Sequence, residues 1–233
     1  IYPRSVLLHR PEVSNIDKCF VLSSIKSPNI NLMLLDKYLL MIEKNNIDCV
    51  IVFNKTDLVS EDEKKYFADI YRNIGYKVIF NSNESSITNE ELLNEFRNHI
   101  NCVIGPSGAG KSSTLKKIFP SEDFISGKIS DKTQRGKQTT RHIEIKMVDD
   151  NTYVLDTPGF SSFDLSFLDD KSEIKNNFVE FRKHSLRCKF NNCDHINEPK
   201  CEIKRLVEIG EISQSRYDNY LKIVEEYKKI RRY

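Results

Sequence analysis

The sequence predicts an α/β domain with a mostly parallel sheet and helices on both faces, followed by a small helical domain. Short apolar runs alternate with amphipathic segments over roughly the first hundred residues, as expected for strands joined by crossover helices. A glycine-rich loop follows one of these runs at Gly105. Three of the six cysteines cluster near the far end of the chain, which separates a second, smaller unit from the first.

The individual elements follow from the apolar pattern in chain order. Continuous apolar runs bounded by turn residues predict buried strands, and apolar residues at every third or fourth position predict helices. The predicted strands are 19–25, 48–54, 76–82, 101–105, 142–148 and 151–156, the last two forming a hairpin. The predicted helices are 31–46, 61–75, 88–100 with capping-box spacing from Thr88 to Glu91, and one after Gly110. The polar stretch 126–142 predicts a mobile loop.

Composition restricts the class of protein. Hydrophobic residues make up 39% and charged residues 30% of the 233 residues, and no apolar run is long enough to predict a membrane span. Cys19, Cys49 and Cys102 each lie in an apolar run and predict buried thiols in a reducing compartment, the cytoplasm. From Lys171 onward the chain has fifteen Lys and Arg against ten Asp and Glu. This basic tail favours a polyanionic partner, although a solvated helical face would explain it equally well.

The stretch GPSGAGKSS has the spacing of a phosphate-binding loop, between a predicted strand and a predicted helix. Its glycines allow backbone N–H groups to converge on phosphate oxygens, while Lys111 reaches the β- and γ-phosphates and the Ser112 hydroxyl binds Mg²⁺. The N-terminus of the following helix adds a favourable partial charge. The predicted nucleotide-binding residues of this loop are Gly105, Pro106, Ser107, Gly108, Ala109, Gly110, Lys111, Ser112 and Ser113.

A second motif, N-K-x-D, lies at the end of the strand 48–54 and predicts which nucleotide base the site binds. The carboxylate of Asp57 can accept hydrogen bonds from guanine N1–H and from the 2-amino group, a donor pair that adenine lacks. The Asn54 amide would hold the loop and the Lys55 stem would lie over the ring; Thr56 completes the motif. After the next strand, Ser82 and Asn83 occupy the place where a backbone N–H meets guanine O6.

The order of these motifs is inverted, because the base-reading motif precedes the phosphate loop. Joining the ends of a GTP-binding domain and cutting it elsewhere would produce this order, and the proximity of termini in compact domains makes such permutation tolerable. The sequence therefore predicts a circularly permuted GTPase domain.

The remaining catalytic groups are predicted from the segments that follow the phosphate loop. Asp156, at the end of a strand, would hold Mg²⁺ directly or through water, and Gly159 fits a hinge whose N–H turns toward the γ-phosphate. Thr139 or Thr140 should close on Mg²⁺ and the γ-phosphate. Phe160 stands where Ras-type GTPases carry a water-orienting glutamine, so slow intrinsic hydrolysis is expected. The candidates to position the water are Gln138, Thr139, Thr140 and His142.

The cysteine cluster predicts a structural zinc site. Cys188, Cys193, His195 and Cys201 supply three thiolates and one imidazole within 14 residues, a donor set that suits tetrahedral Zn²⁺ and leaves no open coordination position. The surrounding basic side chains suit a nucleic-acid contact. They are Lys183, Arg187, Lys189, Lys200, Lys204 and Arg205.

Together these motifs resemble the RsgA family of circularly permuted bacterial GTPases over essentially the whole chain, including the 136–140 string Gly-Lys-Gln-Thr-Thr and the tail from Asn197. The resemblance implies a GTPase domain over 1–168 and a C-terminal zinc domain over 169–233. It also implies a cytoplasmic, monomeric enzyme that binds GTP, GDP and the 30S subunit with its 16S rRNA and hydrolyses GTP when the subunit stimulates it. The family's N-terminal OB-fold is expected to be absent from this sequence. Gln138 departs from the His that the family often carries there.

Two other functions are compatible with the sequence. A P-loop ATPase would use the same phosphate loop but would have no need of Asp57. A zinc-dependent rRNA-binding module with a regulatory nucleotide site would keep the basic cluster and dispense with hydrolysis. The intact set of phosphate and base contacts favours the GTPase.

Overall fold

The computed structural model describes residues 7–9, 12–120, 144–157 and 164–230. The strands are β1 (Leu7–His9), β2 (Glu12–Ser14), β3 (Lys18–Ser24), β4 (Asp48–Asn54), β5 (Lys77–Phe80), β6 (Ile100–Ile104), β7 (Glu144–Asp149) and β8 (Thr152–Asp156). The helices are α1 (Leu32–Lys44), α2 (Glu61–Arg72), α3 (Glu90–Phe96), α4 (Lys111–Ile118), α5 (Ser172–Asn176), α6 (Val179–His184), α7 (Glu202–Glu208) and α8 (Gln214–Ile230). No helix in these ranges is long and apolar enough to cross a membrane.

The central sheet has six strands in the order β5-β4-β3-β6-β8-β7. Every neighbouring pair is parallel except β7 with β8, which form an antiparallel hairpin. This confirms the predicted mostly parallel sheet and the predicted hairpin. Because β3, β4, β5, β6 and β8 run in the same direction, their carboxyl ends meet at one edge of the sheet.

Successive side chains of a strand point to opposite faces of the sheet, and they form a separate hydrophobic core on each face. Phe20, Leu22 and Val52 pack with α3 and α4 on one face, while Val21 and Phe53 pack with α1 and α2 on the other. Both faces are therefore covered, which explains why β3 and β4 read as continuous apolar runs rather than as alternating ones.

The start of α3 differs from the prediction. The predicted capping box from Thr88 to Glu91 is wrong, because the N-cap is Asn89, whose Oδ1 accepts from the N–H of Leu92 at 3.1 Å. The Asn89 amide also donates to the carbonyl of Phe80 at 2.7 Å. One side chain thus joins the end of β5 to the start of α3, a tertiary contact that local spacing does not reveal.

The three cysteines of the sheet lie side by side on adjacent strands. Cys19 is in register with Cys49 on β4 and with Cys102 on β6. Cys19 and Cys102 are fully buried as predicted, whereas Cys49, near the amino end of its strand, is only half-buried. Burial raises the pKa of Cys19 and of Cys49 well above the usual thiol range. A raised pKa leaves little thiolate near neutral pH, so we expect Cys19 and Cys49 to be poor nucleophiles.

A buried charge cluster joins the C-terminal helices to the sheet domain. Arg216 on α8 lies between Asp36 on α1, at 2.6 Å from Nη1, and Glu180 on α6, which receives Nε and Nη2 at 2.9 and 3.1 Å. Tyr71 and Asn219 donate to the two carboxylate oxygens of Asp36 at 2.9 and 2.6 Å. All three charged residues are at most 2% exposed.

The cluster tolerates burial because each charge is paired and hydrogen-bonded. Burial raises the pKa of Asp36 even though Arg216 lowers it. Burial by itself would lower the pKa of Arg216, but Asp36 and Glu180 hold it above the usual range. Arg216 also lies over the ring of Phe178, 4.4 Å from its centroid.

Two lysines of α1 extend this contact along the helix. Lys37 pairs with Glu226 of α8 at 2.7 Å. Lys44, in the last turn of α1, pairs with Asp169 and Glu173 at 2.8 and 2.9 Å and donates to the carbonyl of Phe167 at 2.7 Å. The C-terminal helices are therefore attached to α1 along its length.

Replacing Arg216 with Met should lower the free energy of unfolding by about 3–5 kcal/mol, since two buried carboxylates would lose their counter-ion. Urea denaturation followed by circular dichroism would measure this. Lys229→Met, in the exposed α8 pair with Glu225, is the matched control and should cost far less.

Removing all three charges tests the cause of that loss. A variant carrying Asp36→Asn, Glu180→Gln and Arg216→Met should recover part of the stability, because no uncompensated charge stays buried. If Arg216→Met destabilises no more than Lys229→Met, the cluster does not hold the helices in place.

Candidate nucleotide site and metal centre

The edge where the parallel strands end gathers the predicted nucleotide residues. Asn54 ends β4, Gly105 follows β6, and Asp156 ends β8. The strands β4, β3, β6 and β8 are consecutive neighbours in the sheet. Residues that are up to about a hundred positions apart in sequence therefore face one crevice, which is the usual ligand position in open α/β sheets.

At two glycines of the phosphate loop there is no space for a side chain. Gly105 has φ +146°, and a Cβ there would lie 2.0 Å from the carbonyl oxygen of Leu22. Gly110 has φ +89°, and a Cβ there would lie 2.3 Å from Nδ2 of Asn54. The loop passes this close to β3 and to the base-reading segment only because both residues lack a side chain.

Lys111 begins α4 and is folded into the loop. Its Nζ donates to the carbonyl oxygens of Gly105 and Pro106 at 3.0 and 3.1 Å. Burial lowers the pKa of Lys111 to about 8, and the charge of Asp156 opposes this shift. A phosphate oxygen within reach would favour the charged form further. The other predicted loop residues Ser107 and Ser113 are exposed, and Ala109 is buried.

Ser112 and Asp156 form a polar pair suited to a hard cation. The Ser112 hydroxyl donates to Oδ2 of Asp156 at 2.8 Å. Oδ1 of Asp156 is buried and has no hydrogen-bond partner among the described residues. Burial raises the pKa of Asp156, while Ser112 and Lys111 oppose the shift. An orphaned carboxylate oxygen beside a hydroxyl fits an oxygen-liganded Mg²⁺, so the residues present fit the cation that this loop type uses.

Asn54 connects the base-reading segment to the phosphate loop. Its buried Nδ2 donates to the carbonyl of Ala109 at 2.8 Å, and its Oδ1 accepts from Nδ2 of Asn81 at 2.9 Å. The hydroxyl and the N–H of Thr56 both donate to the carbonyl of Asn81, at 3.0 and 3.2 Å. Asn81, just after β5, joins this network through contacts that the sequence did not identify.

Asp57 and Ser82 meet at the outer end of this network. The Ser82 hydroxyl donates to Oδ1 of Asp57 at 2.5 Å, and Asp57 itself is exposed. Lys55, in the left-handed region at φ +57°, donates to the carbonyl of Ser27. The stem of Lys55 therefore borders the segment before α1. The structure thus brings Asp57 and Ser82 into direct contact, on the segment that begins at Asn54.

The predicted catalytic residues Gln138, Thr139, Thr140 and Gly159 lie outside the described residues, as do Phe160 and His142. The chain leading to Gly159 is anchored at Thr157, whose hydroxyl donates to the carbonyl of Val103 at 2.7 Å. This bond fixes the backbone immediately after Asp156.

The four predicted metal ligands come together in a buried group. The donor atoms of Cys188, Cys193, His195 and Cys201 all lie within 4.8 Å of one another. Nδ1 of His195 lies 3.6 Å from Sγ of Cys188 and 3.4 Å from Sγ of Cys201. Tetrahedral ligation with the usual metal–sulfur and metal–nitrogen distances implies a separation of about 3.6 Å. The group could therefore hold a metal ion, with histidine bound through Nδ1.

Neighbouring side chains hold the backbone of the segment that carries the metal-binding residues. Tyr217 and Tyr220 donate to the carbonyls of His195 and Asp194, at 2.7 and 2.6 Å, and Lys175 donates to the carbonyl of Cys193 at 2.9 Å. Burial, with the charge of Lys175, lowers the pKa of His195 to about 4. The imidazole is thus neutral, the form that binds metals.

Comparison with known proteins finds relatives for the nucleotide-site part and for the metal-ligand part of the chain. The family model described as RsgA GTPase matches residues 1–166. The small ribosomal subunit biogenesis GTPase RsgA of Alkaliphilus metalliredigens is 41% identical over 233 residues, covering 100% of this chain and 80% of the relative. The protein of the same name from Clostridium perfringens is 42% identical over 226 residues, covering 97% and 78%.

Two solved structures share the fold. The structure described as YloQ, a circularly permuted GTPase, is 32% identical with a TM-score of 0.81 and covers 98% of this chain and 74% of its own. YjeQ from Thermotoga maritima is 32% identical with a TM-score of 0.79, covering 97% and 76%. The predicted permuted order of the nucleotide motifs is therefore confirmed at the level of the fold.

Gly110→Ala should abolish nucleotide binding, because its Cβ would displace the Asn54 amide from Ala109. Gly210→Ala is the matched control: Gly210 has a similar φ of +78° but no atom within 4 Å of the added Cβ. Both substitutions should cost about 1–2 kcal/mol of stability from the left-handed backbone. Titration with a fluorescent guanine nucleotide would compare them, and equal affinities would contradict the proposed role of the close approach.

Proposed function

Because this chain belongs to the RsgA GTPase family, we propose that it binds and hydrolyses GTP during late maturation of the small ribosomal subunit, which stimulates the hydrolysis. The observation that carries this proposal is the Asn54 bridge. It joins a guanine-type N-K-x-D segment to a phosphate loop through the carbonyl of Ala109, at 2.8 Å. An adenine enzyme has no need of the carboxylate that this segment presents.

Each group at the site has a role that its contacts support. Lys111 neutralises the β- and γ-phosphates once they replace the loop carbonyls as its partners. Mg²⁺, held through Ser112 and Asp156, would supply charge neutralisation at the same oxygens. Asp57 selects guanine, with Asn54, Lys55 and Thr56 fixing its position. The N–H groups of the loop from Gly105 to Ser113 cradle the phosphates.

Hydrolysis needs groups beyond these. We propose Thr139 or Thr140 as the residue that closes on Mg²⁺ and the γ-phosphate, with Gly159 supplying a backbone N–H. Gln138 is the proposed residue for orienting the attacking water. The small subunit would complete this arrangement, since Phe160 has no hydrogen-bonding group for that purpose.

The C-terminal unit, residues 169–233, is proposed to carry structural Zn²⁺ on Cys188, Cys193, His195 and Cys201 and to contact 16S rRNA. Of the six basic residues around the ligands, Arg205 is held by Glu202 through two bonds of 2.8 Å. For the other five, no ion pair occurs among the described residues, so their charges are available to phosphates. We further propose that the protein acts as a monomer.

GTP hydrolysis with and without purified 30S subunits tests the function. We expect stimulation by the subunit, no use of ATP, and loss of the stimulated rate by on the order of 100-fold or more in Lys111→Ala. Lys65→Ala, exposed on α2, is the control and should behave as the parent protein. Equal hydrolysis of ATP and GTP, or no response to the subunit, would refute the proposal.

Metal analysis tests the second unit. We expect one zinc per chain, lost in Cys201→Ser and retained in Cys49→Ser, whose thiol lies in β4. Removing zinc with a chelator should expose the region around the ligands to protease, because this loop-rich segment depends on the metal for its fold. Full protease resistance without bound metal would show that the cluster does not bind a structural ion.

A further inference from the structure

One basic side chain on α4 holds the loop of residues 82–85, which follows β5. Nζ of Lys117 donates to the carbonyl oxygens of Ser82 at 2.9 Å and Asn83 at 3.3 Å, and also to that of Ser85. A lysine has three donors and no acceptor, and here all three are directed at this one loop. The carbonyl groups of Ser82, Asn83 and Ser85 therefore all face Lys117.

The orientation of these carbonyls determines the orientation of an amide. In a trans peptide the C=O and the following N–H point in opposite directions. Since the carbonyl of Ser82 faces Lys117, the N–H of Asn83 points away from it. The N–H of Glu84 donates to the Ser82 hydroxyl at 3.3 Å, whereas that of Asn83 has no partner within the described ranges. The Asn83 N–H is thus free to donate to a ligand.

That donor lies next to the residue that reads the base. Ser82, whose carbonyl shares the peptide with the Asn83 N–H, donates its hydroxyl to Asp57 at 2.5 Å. A carboxylate and an N–H side by side complement the edge of guanine, which presents N1–H and the 2-amino group as donors and O6 as an acceptor. Adenine presents an amino donor in place of O6 and would meet the N–H with another donor.

The loop is supported from α4 at a second point. The Thr114 hydroxyl donates to Oδ1 of Asn83 at 3.2 Å. Thr114 and Lys117 are three residues apart and so lie on one face of the helix. The same helix begins with Lys111 and Ser112, the predicted phosphate and Mg²⁺ residues. One short helix thereby spans both ends of the proposed nucleotide site.

We propose that Lys117 is a positioning residue for guanine specificity: it fixes the Ser82–Asn83 peptide so that the Asn83 N–H donates to O6. The proposal rests on the proposed function, because it requires that the site bind guanine nucleotides. It adds a determinant that lies outside both the N-K-x-D segment and the phosphate loop, and that contacts the base only through the backbone it holds.

Base analogues separate this role from a general structural one. Lys117→Met keeps the aliphatic stem and removes the hydrogen-bond donors, whereas Lys117→Arg keeps donors at the same position. The matched control is Lys116→Met, which changes an exposed side chain in the same turn of α4. The ligands are GDP, inosine diphosphate, which retains O6 and N1–H, and 2-aminopurine riboside diphosphate, which lacks both. The comparison is therefore made for each analogue between the parent protein and the variant. Calorimetric or fluorescence titration of the full chain gives each affinity.

Lys117→Met should weaken GDP and inosine diphosphate each by about tenfold, the equivalent of one hydrogen bond, and leave the affinity for the 2-aminopurine analogue unchanged. Lys117→Arg should recover most of the loss, and Lys116→Met should match the parent. A smaller folded fraction would lower the active concentration for all three ligands equally, so the ratio of affinities is independent of it.

Two outcomes overturn the inference. An equal loss of affinity for all three ligands would make Lys117 a structural support only, and an unchanged GDP affinity in Lys117→Met would show that the loop is held without it. Failure of the proposed function would give a different result: the parent protein would bind GDP no more tightly than ADP.

Discussion

The nucleotide site depends on one buried amide, that of Asn54. A buried amide must find partners for its donors and its acceptor, and Asn54 finds them in Ala109 of the phosphate loop and Asn81 after β5. The two hydrogen bonds fix three chain segments relative to one another. Gly110 permits this contact, since any side chain there would occupy the position of the Asn54 amide. The base and phosphate halves of the site are therefore held at a fixed spacing by contacts within the protein.

The inverted order of the motifs has no effect on this arrangement. The position of a site residue depends on which strand it follows and where that strand lies in the sheet. β4, β3, β6 and β8 are spatial neighbours whose carboxyl ends coincide, whatever the order in which the chain visits them. Hydrogen bonding between parallel strands and burial on both faces stabilise this order, so the chain can be opened at another point without moving the site.

α1 links the nucleotide edge to the C-terminal helices. The residues just before it contact the site, where Ser27 accepts from Lys55 and Pro28 lies against Gly108. The body of the helix carries Asp36, buried against Arg216. Because removing one partner from a buried ion pair is costly, the two units form one continuous packed structure along α1. The metal cluster contacts α8, whose Tyr217 and Tyr220 donate to the carbonyls of His195 and Asp194.

The sequence by itself determined the six strands of the central sheet and most helices, and it singled out the phosphate-loop motif, the N-K-x-D segment and the candidate metal ligands, because each depends on local spacing or on residue chemistry. It did not predict the short strands β1 and β2. It did not reveal Asn81, Thr114 or Lys117, which are ordinary polar residues until the fold places β5 beside β4 and α4 above the 82–85 loop. Nor did it reveal the role of Asp36, an acid on the buried part of an otherwise mostly apolar helix, whose partner Arg216 is 180 residues away. The Asn89 cap was missed for the same reason, since its second bond is to β5. Pairing across such distances is decided by strand order and helix packing, and these exist only in the tertiary structure.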